Sequence, residues 1–308
     1  MTLDPAAKAV LDMLQQPGVP PLNELPVPIA REAYAGLAAL AGEPGPVVRI
    51  EDLSADGVPV KVYWPEGKGP HPVFLWLHGG GWALGSAAEH DAIARDICRR
   101  AGCMVVNVDY RLAPEHPFPA ALDDVTAAAR WVIGSIAELG GDPARLAVGG
   151  DSAGANLSTV LARELPGTFA LQVLAYPPTD LTLSHPSIEE NGEGYLLTKA
   201  AMSWFQEFYV GPDADLKDPR LSPLYAELHD LAGSAPALVF TAGYDPLRDE
   251  GIAYVERLRE AGVEVDHVHH DGMIHAFYVM PAAIPAARDA LDRTVAALQL
   301  SFGSTSAD

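Results

Sequence analysis

The chain has 308 residues, of which 49% are hydrophobic, and its formal net charge is −21. This apolar content is enough for a sizeable core, so a globally disordered chain is excluded, and the length allows one large α/β domain or two ordinary domains. The excess of acidic residues would repel phosphate backbones and anionic lipids, so we expect neither nucleic-acid binding nor membrane binding.

The two cysteines, Cys98 and Cys103, are too few for a disulfide framework or a cysteine metal site. We expect both to be buried free thiols. The N-terminal residues lack the basic start and apolar core of a signal peptide, and no apolar run reaches transmembrane length. These features predict a soluble, cytoplasmic protein.

The N-terminal region, residues 1–45, is predicted to form two helices. Apolar residues recur at helical spacing over Pro5–Gln16 and again over Ile29–Ala41, with a proline-rich connector, Pro17–Pro28, between them. The region shows no strand pattern and precedes the strands of the sheet. We therefore expect either a separate cap or a helical appendage.

Strand patterns begin after residue 46. Val47–Leu53 and Val58–Trp64 alternate apolar and polar residues, which is typical of an antiparallel pair at a sheet edge. Short, fully apolar runs of the kind buried in a parallel sheet follow at Pro72–Leu77, Cys103–Val108, Leu146–Gly149, Leu171–Ala175, Ala237–Thr241 and Val263–Val268. Helical patterns alternate with them at Ala88–Ala101, Ala120–Leu139, Gly251–Ala261 and Ala283–Leu298. This alternation predicts an α/β fold with a mostly parallel central sheet flanked by helices on both faces.

Residues 182–223 interrupt the alternation. They are polar at first and then helical over Lys199–Tyr209, without an obvious strand. An excursion of this length between two core strands is usually a functional lid or cap. We therefore expect a cap insertion at 182–223 that divides the α/β core into residues 46–181 and 224–308.

The segment Gly150–Gly154 reads G-x-S-x-G between an apolar strand pattern, Arg145–Gly149, and a helical pattern, Ala155–Glu164. A tight turn from strand to helix with this sequence is typical of a nucleophile elbow, which lifts a serine hydroxyl out of the sheet. The glycines leave room beside the serine in a strained turn, and the start of the helix favours negative charge there. We therefore predict that Ser152 is a nucleophile.

Two further residues complete a predicted catalytic triad. In α/β-hydrolases the triad residues follow in the order Ser, Asp or Glu, and His, each on a loop beyond the C-terminal end of a strand. Asp245 follows the strand pattern Ala237–Thr241, and His275 lies on the loop after the last strand pattern. We predict that His275 is the general base and that Asp245 orients it.

Other titratable residues near these positions are given structural interpretations. Three histidines lie in or at the end of the last strand, too early for the loop position: His267, His269 and His270. Asp249, one helical turn past Asp245, is interpreted as a residue that caps or orients nearby backbone. Asp151, beside the nucleophile, either tunes the local electrostatics or is a solvated residue of the elbow.

The glycine run in His78–Trp82 directly follows the Pro72–Leu77 strand pattern. Consecutive glycines allow backbone N–H groups to turn into a cavity and bind a tetrahedral oxyanion, as in the HGGG-type loop of lipases and esterases. A flexible glycine turn or a phosphate loop is the alternative, but the Gly-Lys-Ser/Thr ending of a phosphate loop is missing. The predicted oxyanion donors are the N–H groups of Gly80, Gly81 and Ala153. His78 and Gly79 are predicted to support the loop.

Five motifs, in this order, carry a resemblance to a known family: His78–Trp82, Tyr110–Ala120, Gly150–Asn156, Asp245–Gly251 and Met273–His275. The chain resembles the bacterial hormone-sensitive-lipase-like esterases, a group of α/β-hydrolases, over roughly residues 45–280. In that family the matched positions serve as the oxyanion loop, a structural segment, the nucleophile elbow, the triad acid and the triad base.

The resemblance also implies an α/β-hydrolase fold with a helical cap, formed by the N-terminal helices and by an insertion after the middle strands. It implies hydrolysis of esters with short-to-medium acyl chains, with no metal and no cofactor. One position departs from the family pattern, because Ala276 stands where the family usually has glycine after the triad histidine.

We interpret the chain as a serine carboxylesterase that works through an acyl-enzyme intermediate on a small-molecule ester, as a monomer or a homodimer. The alternatives are an amidase, peptidase or lactonase that uses the same triad, and a non-catalytic ligand receptor with a hydrolase fold. Four aromatic residues are candidates for the substrate pocket, although ordinary packing would also account for them: Trp82, Tyr195, Trp204 and Phe205.

Overall fold

A computed structural model of the protein describes residues 2–16, 18–212 and 214–303. The remaining residues lie outside this description; they are 1, 17, 213 and 304–308, and they fall within the predicted N-terminal region, connector, insertion and second core part.

The described residues contain one sheet of eight strands, in the order β1-β2-β4-β3-β5-β6-β7-β8. The strands are β1 (Arg49–Ala55), β2 (Val58–Trp64), β3 (His71–Leu77), β4 (Met104–Val108), β5 (Gly141–Asp151), β6 (Gln172–Ala175), β7 (Ala237–Tyr244) and β8 (Val265–Ile274). Strand β2 pairs antiparallel with β1 and with β4, and all other pairs are parallel. The predicted antiparallel edge pair and the mostly parallel sheet are confirmed.

Helices precede, connect and follow the strands. They are α1 (Pro5–Leu14), α2 (Val27–Ala35), α3 (Asp91–Ala101), α4 (Ala120–Ser135), α5 (Ala153–Glu164), α6 (Pro186–Glu190), α7 (Lys199–Tyr209), α8 (Leu228–Leu231), α9 (Arg248–Glu260) and α10 (Pro285–Ser301). Across the described ranges, none of these helices combines the length and apolarity that a bilayer crossing requires.

Both faces of the sheet are buried, and strand β3 shows why its sequence is continuously apolar. Val73, Leu75 and Leu77 pack in a cluster with side chains of α4 and α5. Phe74 and Trp76 point to the opposite face and pack with side chains of α3 and α10. Because alternate residues of a strand face opposite sides, a strand covered on both faces needs apolar residues at every position.

Strand β8 is longer than predicted and differs from the pattern of a buried strand. The prediction gave Val263–Val268, whereas the strand runs over Val265–Ile274 and includes the polar run His269–Gly272. The prediction stopped at these residues because buried parallel strands are apolar. Strand β8 lies at the end of the strand order, where polar side chains are tolerated because that edge has no neighbouring strand. His275 therefore directly follows the strand.

The N-terminal region is helical as predicted, but its second helix is shorter. Helix α2 ends at Ala35, and residues Gly36–Ala41 continue as a 3₁₀ helix. Before α1, the N–H of Asp4 donates to the carbonyl of Gly272 in β8 at 3.0 Å, and the Asp4 carboxylate accepts from Ala6 N–H at 2.7 Å, which caps the helix.

Arg31 of α2 fastens the N-terminal region to the core. Its Nε donates to the carbonyl of Ala83 at 2.9 Å, and Nη2 donates to the carbonyl of Ala113 at 3.0 Å. The same guanidinium is paired with Glu115 at 2.6 Å. A planar guanidinium can satisfy these acceptors together, whereas a lysine ammonium lacks the matching fork of donors.

We expect Arg31→Ala to lower the free energy of unfolding by about 1–2 kcal/mol, because several partly buried, charge-assisted hydrogen bonds are lost. Amide hydrogen exchange in α2 should accelerate more than exchange in β3. The control is Arg259→Ala, which removes an exposed pair with Glu256 on α9 and a long, exposed contact with the Val265 carbonyl at 3.4 Å. It should change stability by less than about 0.5 kcal/mol. Unchanged exchange in α2 of Arg31→Ala would contradict the anchoring role.

Candidate active site

Ser152 occupies the turn between β5 and α5, and its backbone has the positive φ of 52° that a strained elbow requires. Its N–H donates to the carbonyl of Ala175 in the neighbouring strand at 2.9 Å. The flanking glycines are needed for space, because a Cβ at Gly150 or at Gly154 would collide with the carbonyl oxygen of Leu77. The sequence therefore folds into an elbow only with glycine at these two positions.

The structure brings together the three residues predicted to form the triad. The Ser152 hydroxyl donates to Nε2 of His275 at 3.0 Å, and Nδ1 of His275 lies 2.8 Å from Oδ2 of Asp245. Since the carboxylate can only accept, Nδ1 carries the proton and Nε2 is left as the acceptor for the serine. Asp245 is completely buried and His275 is 7% exposed. This arrangement can move a proton from the serine oxygen to the imidazole.

Asp245 is held in place by hydrogen bonds from its own loop to its carboxylate and from the region 182–223 to the backbone of that loop. Leu247 N–H donates to Oδ1 of Asp245 at 2.9 Å. The side-chain amide of Asn191, which follows α6, donates to the Asp245 carbonyl oxygen at 3.1 Å and lies 3.3 Å from the Gly243 carbonyl. The sequence gave no signal for Asn191, because its partners belong to a loop far away in the chain.

The glycine run forms a tight loop beside the elbow. Gly80 and Gly81 have φ values of 116° and 58°. A Cβ at Gly80 would collide with the Leu84 carbonyl, and one at Gly81 would collide with the ring of Phe205. Gly79 N–H is already used, since it donates to Asp151 at 2.9 Å. The predicted oxyanion donors are the N–H groups of Gly80, Gly81 and Ala153. Within the described residues, none of these three groups donates to a protein acceptor.

His78 packs behind this loop. Its Nδ1 lies 2.7 Å from the Gly79 carbonyl, its ring stacks on Tyr110 at 4.2 Å, and the Tyr110 hydroxyl donates to the His78 carbonyl at 2.6 Å. Burial, together with the nearby His90, lowers the pKa of His78 to about 4. His78 is therefore neutral at pH 7, and its Nδ1–H can donate to the loop. Tyr110 opens the Tyr110–Ala120 motif, so the contact links two of the motifs.

Asp151 is buried, at 1% exposed, so the interpretation as a solvated elbow residue is wrong. Its carboxylate accepts from Gly79 N–H and lies 3.1 Å from Nε2 of His90, which is itself 4% exposed. No sequence pattern indicated His90. Asp249, by contrast, orients backbone as predicted, since it accepts from the N–H of Ser187 at 2.9 Å.

A cavity of about 460 Å³ opens onto Ser152. One part of its lining comes from the N-terminal region and the neighbouring core, and the other part comes from the region around 182–223. Apolar lining residues that the sequence did not single out include Leu14, Leu37, Leu181, Leu197, Met202 and Met280. A pocket with mainly apolar walls and a few convergent polar groups is typical of a small-molecule site.

Two of the four aromatic pocket candidates line this cavity, namely Trp82 and Phe205. Trp82 is nevertheless 5% exposed, and its ring stacks on Tyr209 at 4.5 Å. Tyr195 and Trp204 are not among the lining residues. The ring of Tyr195 packs on Tyr244 at 5.0 Å, and that of Trp204 packs on Phe205 and Phe208 at 5.1 and 4.7 Å. Aromatic composition alone could not separate the lining of the cavity from its outer packing.

Within the described residues, no group of three or more His, Cys, Asp or Glu side chains is arranged to hold a metal ion.

A comparison with protein families matches residues 74–279 to a family described as the alpha/beta hydrolase fold. The chain belongs to this family. The predicted fold class and the resemblance to the esterases related to hormone-sensitive lipase are thereby confirmed.

Proteins named as ester hydrolases align with almost the whole chain. A carboxylesterase from Mycobacterium tuberculosis is 42% identical, and the alignment covers 96% of this chain and 95% of the relative. An ethyl acetate hydrolase from Pseudomonas putida is 38% identical, with 97% and 99% covered. Among solved structures, a thermostable esterase from Pseudomonas putida superposes with a TM-score of 0.93 at 33% identity and covers 98% of both chains.

Ala276, at the position where the resemblance implied a glycine, adopts the left-handed conformation with φ 64°. This conformation strains alanine by about 1–2 kcal/mol, which glycine would relieve. Glycine would also make the unfolded chain more flexible, which lowers the free energy of unfolding by about 0.4–1 kcal/mol. We therefore expect Ala276→Gly to leave the free energy of unfolding unchanged or to raise it by up to about 1.5 kcal/mol.

The matched control for this prediction is Ala296→Gly, at an exposed position inside α10. It should lower the free energy of unfolding by about 1 kcal/mol, because glycine is unfavourable in a helix interior. Urea denaturation measures both variants. An equal loss of stability in the two would mean that the strain at Ala276 is negligible.

Proposed function

We propose that this protein is a serine carboxylesterase that hydrolyses esters with short-to-medium acyl chains through an acyl-enzyme intermediate. The observation that carries the proposal is the continuous hydrogen-bonded chain Asp245–His275–Ser152 at the mouth of an apolar cavity. The relatives named as ester hydrolases support the same reaction class.

In the proposed reaction, Ser152 Oγ attacks the ester carbonyl while its proton passes to Nε2 of His275. The N–H groups of Gly80, Gly81 and Ala153 bind the oxyanion, and losing one such donor costs about 3 kcal/mol of transition-state stabilisation. His275 then gives the proton to the leaving alkoxide, and the collapse leaves the acyl group on Ser152. Water, deprotonated by the same imidazole, attacks the acyl-enzyme and releases the acid.

We further propose that the N-terminal region, residues 1–45, and the insertion, residues 182–223, act together as a cap over the core segments 46–181 and 224–308. Both regions line the cavity that contains Ser152, which supports this division.

The residue roles are tested by replacing the nucleophile. We expect Ser152→Ala to lower kcat by about 10⁴–10⁶-fold, because no other residue can form the acyl-enzyme. His275→Ala should be reduced to a similar degree. Hydrolysis of 4-nitrophenyl butyrate measures activity, and thermal unfolding confirms that each variant is folded. Turnover like that of the wild type in Ser152→Ala would end the proposal.

The histidines of β8 provide matched controls for the assignment of the base. His267 and His269 both contact the hydroxyl of Thr241 at 2.8 Å, and the ring of His270 packs on Phe277 at 4.7 Å. Their alanine variants should retain kcat within about threefold of the wild type. Loss of activity in His270→Ala, with His275→Ala active, would show that the base is wrongly assigned.

The size of the cavity sets an expected limit on acyl length. Each methylene buried while space remains gains about 0.8 kcal/mol, and overfilling costs about 1–3 kcal/mol. We expect kcat/KM to peak at about four to eight acyl carbons, the range implied by the family resemblance. Aryl esters from two to sixteen carbons, assayed with and without an emulsion, measure this. A preference for the longest chains, or a jump in rate at the interface, would instead indicate a lipase.

Charge on the acyl chain should be rejected. Four carboxyl side chains and no lysine or arginine belong to the described lining, the carboxyls being those of Glu89, Asp151, Asp180 and Glu250. A substrate carboxylate would lose its hydration without gaining a free cationic partner, because the imidazole of His90 is already engaged by the Asp151 carboxylate at 3.1 Å. The 4-nitrophenyl monoester of adipic acid should therefore show a kcat/KM at least about 30-fold below that of 4-nitrophenyl hexanoate.

The methyl ester of the same adipate separates charge from size, because it is longer but neutral. It should be hydrolysed at a rate close to that of the hexanoate. Equal rates for the charged adipate and the hexanoate would show that the acyl chain reaches solvent rather than the lined cavity.

A cytoplasmic location and a monomeric or homodimeric state complete the proposal. Cys98 and Cys103 are buried free thiols, as predicted from the sequence, which supports a reducing compartment.

A further inference from the structure

This inference rests on the proposed function. In the proposed reaction, the negative charge of Asp151 would be unfavourable because of where it lies. It immediately precedes Ser152, and it accepts the N–H of Gly79, which immediately precedes the donor Gly80. Its carboxylate is thus buried beside the place where the oxyanion forms. An unneutralised negative charge there would oppose the charge that develops in the transition state.

His90 is the cation that the site offers to Asp151. Nε2 of His90 lies 3.1 Å from Oδ1 of Asp151, and Nδ1 lies 3.3 Å from the carbonyl oxygen of Ser86. Both neighbours can only accept hydrogen bonds. A neutral imidazole would turn one nitrogen lone pair toward an oxygen, whereas the imidazolium presents a proton to each. The approach to Asp151 is an ion pair and not an aligned hydrogen bond.

The rest of the neighbourhood keeps the charge on His90. Burial opposes the charged ring, but the Asp151 carboxylate outweighs it and raises the pKa of His90. The ring of His78, 5.6 Å away, is neutral because burial and the charge on His90 lower its pKa. The other titratable groups that interact with this cluster are Glu89, Asp109, Tyr34, Tyr110, Tyr176 and Tyr278.

The four tyrosines do not add charge in alkaline solution, because burial raises the pKa of each phenol above its usual range. Burial also raises the pKa of Glu89. His90 is the member of this cluster that loses a positive charge as the pH rises, because the other members are carboxyl groups, phenols and the neutral His78.

We propose that protonated His90 is a positioning residue that neutralises Asp151, so that Asp151 can hold the oxyanion loop without opposing the oxyanion. Full activity requires that the charges of Asp151 and His90 cancel. Deprotonation of His90 leaves Asp151 as an uncompensated anion, so kcat falls as the pH rises through the pKa of His90.

The test compares the wild type with Asp151→Asn, His90→Gln and the double variant, with kcat measured from pH 6 to pH 10 on 4-nitrophenyl butyrate. We expect His90→Gln to lower kcat about 50-fold, the effect of a like charge about 7 Å away at an effective dielectric constant of about 20. Adding Asp151→Asn to it should recover at least about tenfold. Asp151→Asn alone should lack the alkaline limb of the wild type.

A purely structural role for His90 predicts the opposite pattern, in which the double variant is no more active than His90→Gln. That result, or an alkaline limb that persists in Asp151→Asn, would overturn the proposal. If His90→Gln does not fold, the comparison of the wild type with Asp151→Asn decides alone. Ser152→Ala, assayed in parallel, separates this outcome from a failure of the proposed function, since an active Ser152→Ala would refute the nucleophile itself.

Discussion

The site depends on one close backbone approach, between the end of β3 and the elbow. The carbonyl oxygen of Leu77 lies so near the α-carbons of Gly150 and Gly154 that no side chain fits at either position. Leu77 is also the residue after which the glycine loop begins. The approach of the Leu77 carbonyl to Gly150 and Gly154 packs the first turn of α5 against the sheet. It therefore also places Ser152 beside the free N–H groups of that loop. The proposed oxyanion site is therefore formed by backbone packing, and no flexible side chain has to be ordered for it.

The two predicted cap regions are each attached to a different part of the catalytic machinery. Arg31 joins the N-terminal region to Ala83, just beyond the glycine loop. Asn191 joins the region 182–223 to the loop that carries Asp245. The cavity walls and the groups that would perform the chemistry are thus positioned by shared hydrogen bonds. A substitution in either cap region can therefore shift the groups around Ser152 through one or two intervening residues.

Residues whose roles depend on local sequence could be predicted, whereas those defined by contacts across the chain could not. The elbow and the glycine loop are contiguous motifs next to strands, and Asp245 and His275 follow from the order of strands and loops. His90 and Asn191 act through partners distant in sequence, and a single chain offers no spacing rule for such pairs. The predicted last strand was shorter than β8 for a related reason. The polar residues of β8 are permitted by its place at the sheet edge, and that place is known only once the strands are assembled.

The walls of the cavity contain an unusual share of left-handed backbone. Seven non-glycine residues in the described ranges have positive φ, and five of them line the cavity: Trp82, Ser152, Leu183, Leu196 and Ala276. At such positions glycine, asparagine and aspartate are tolerated, while valine, isoleucine and threonine meet both backbone and rotamer clashes. The pocket can therefore be reshaped during evolution mainly by removing side-chain volume or by adding short polar groups. The β-branched residues valine and isoleucine, a usual means of narrowing an apolar pocket, are therefore disfavoured at these five positions.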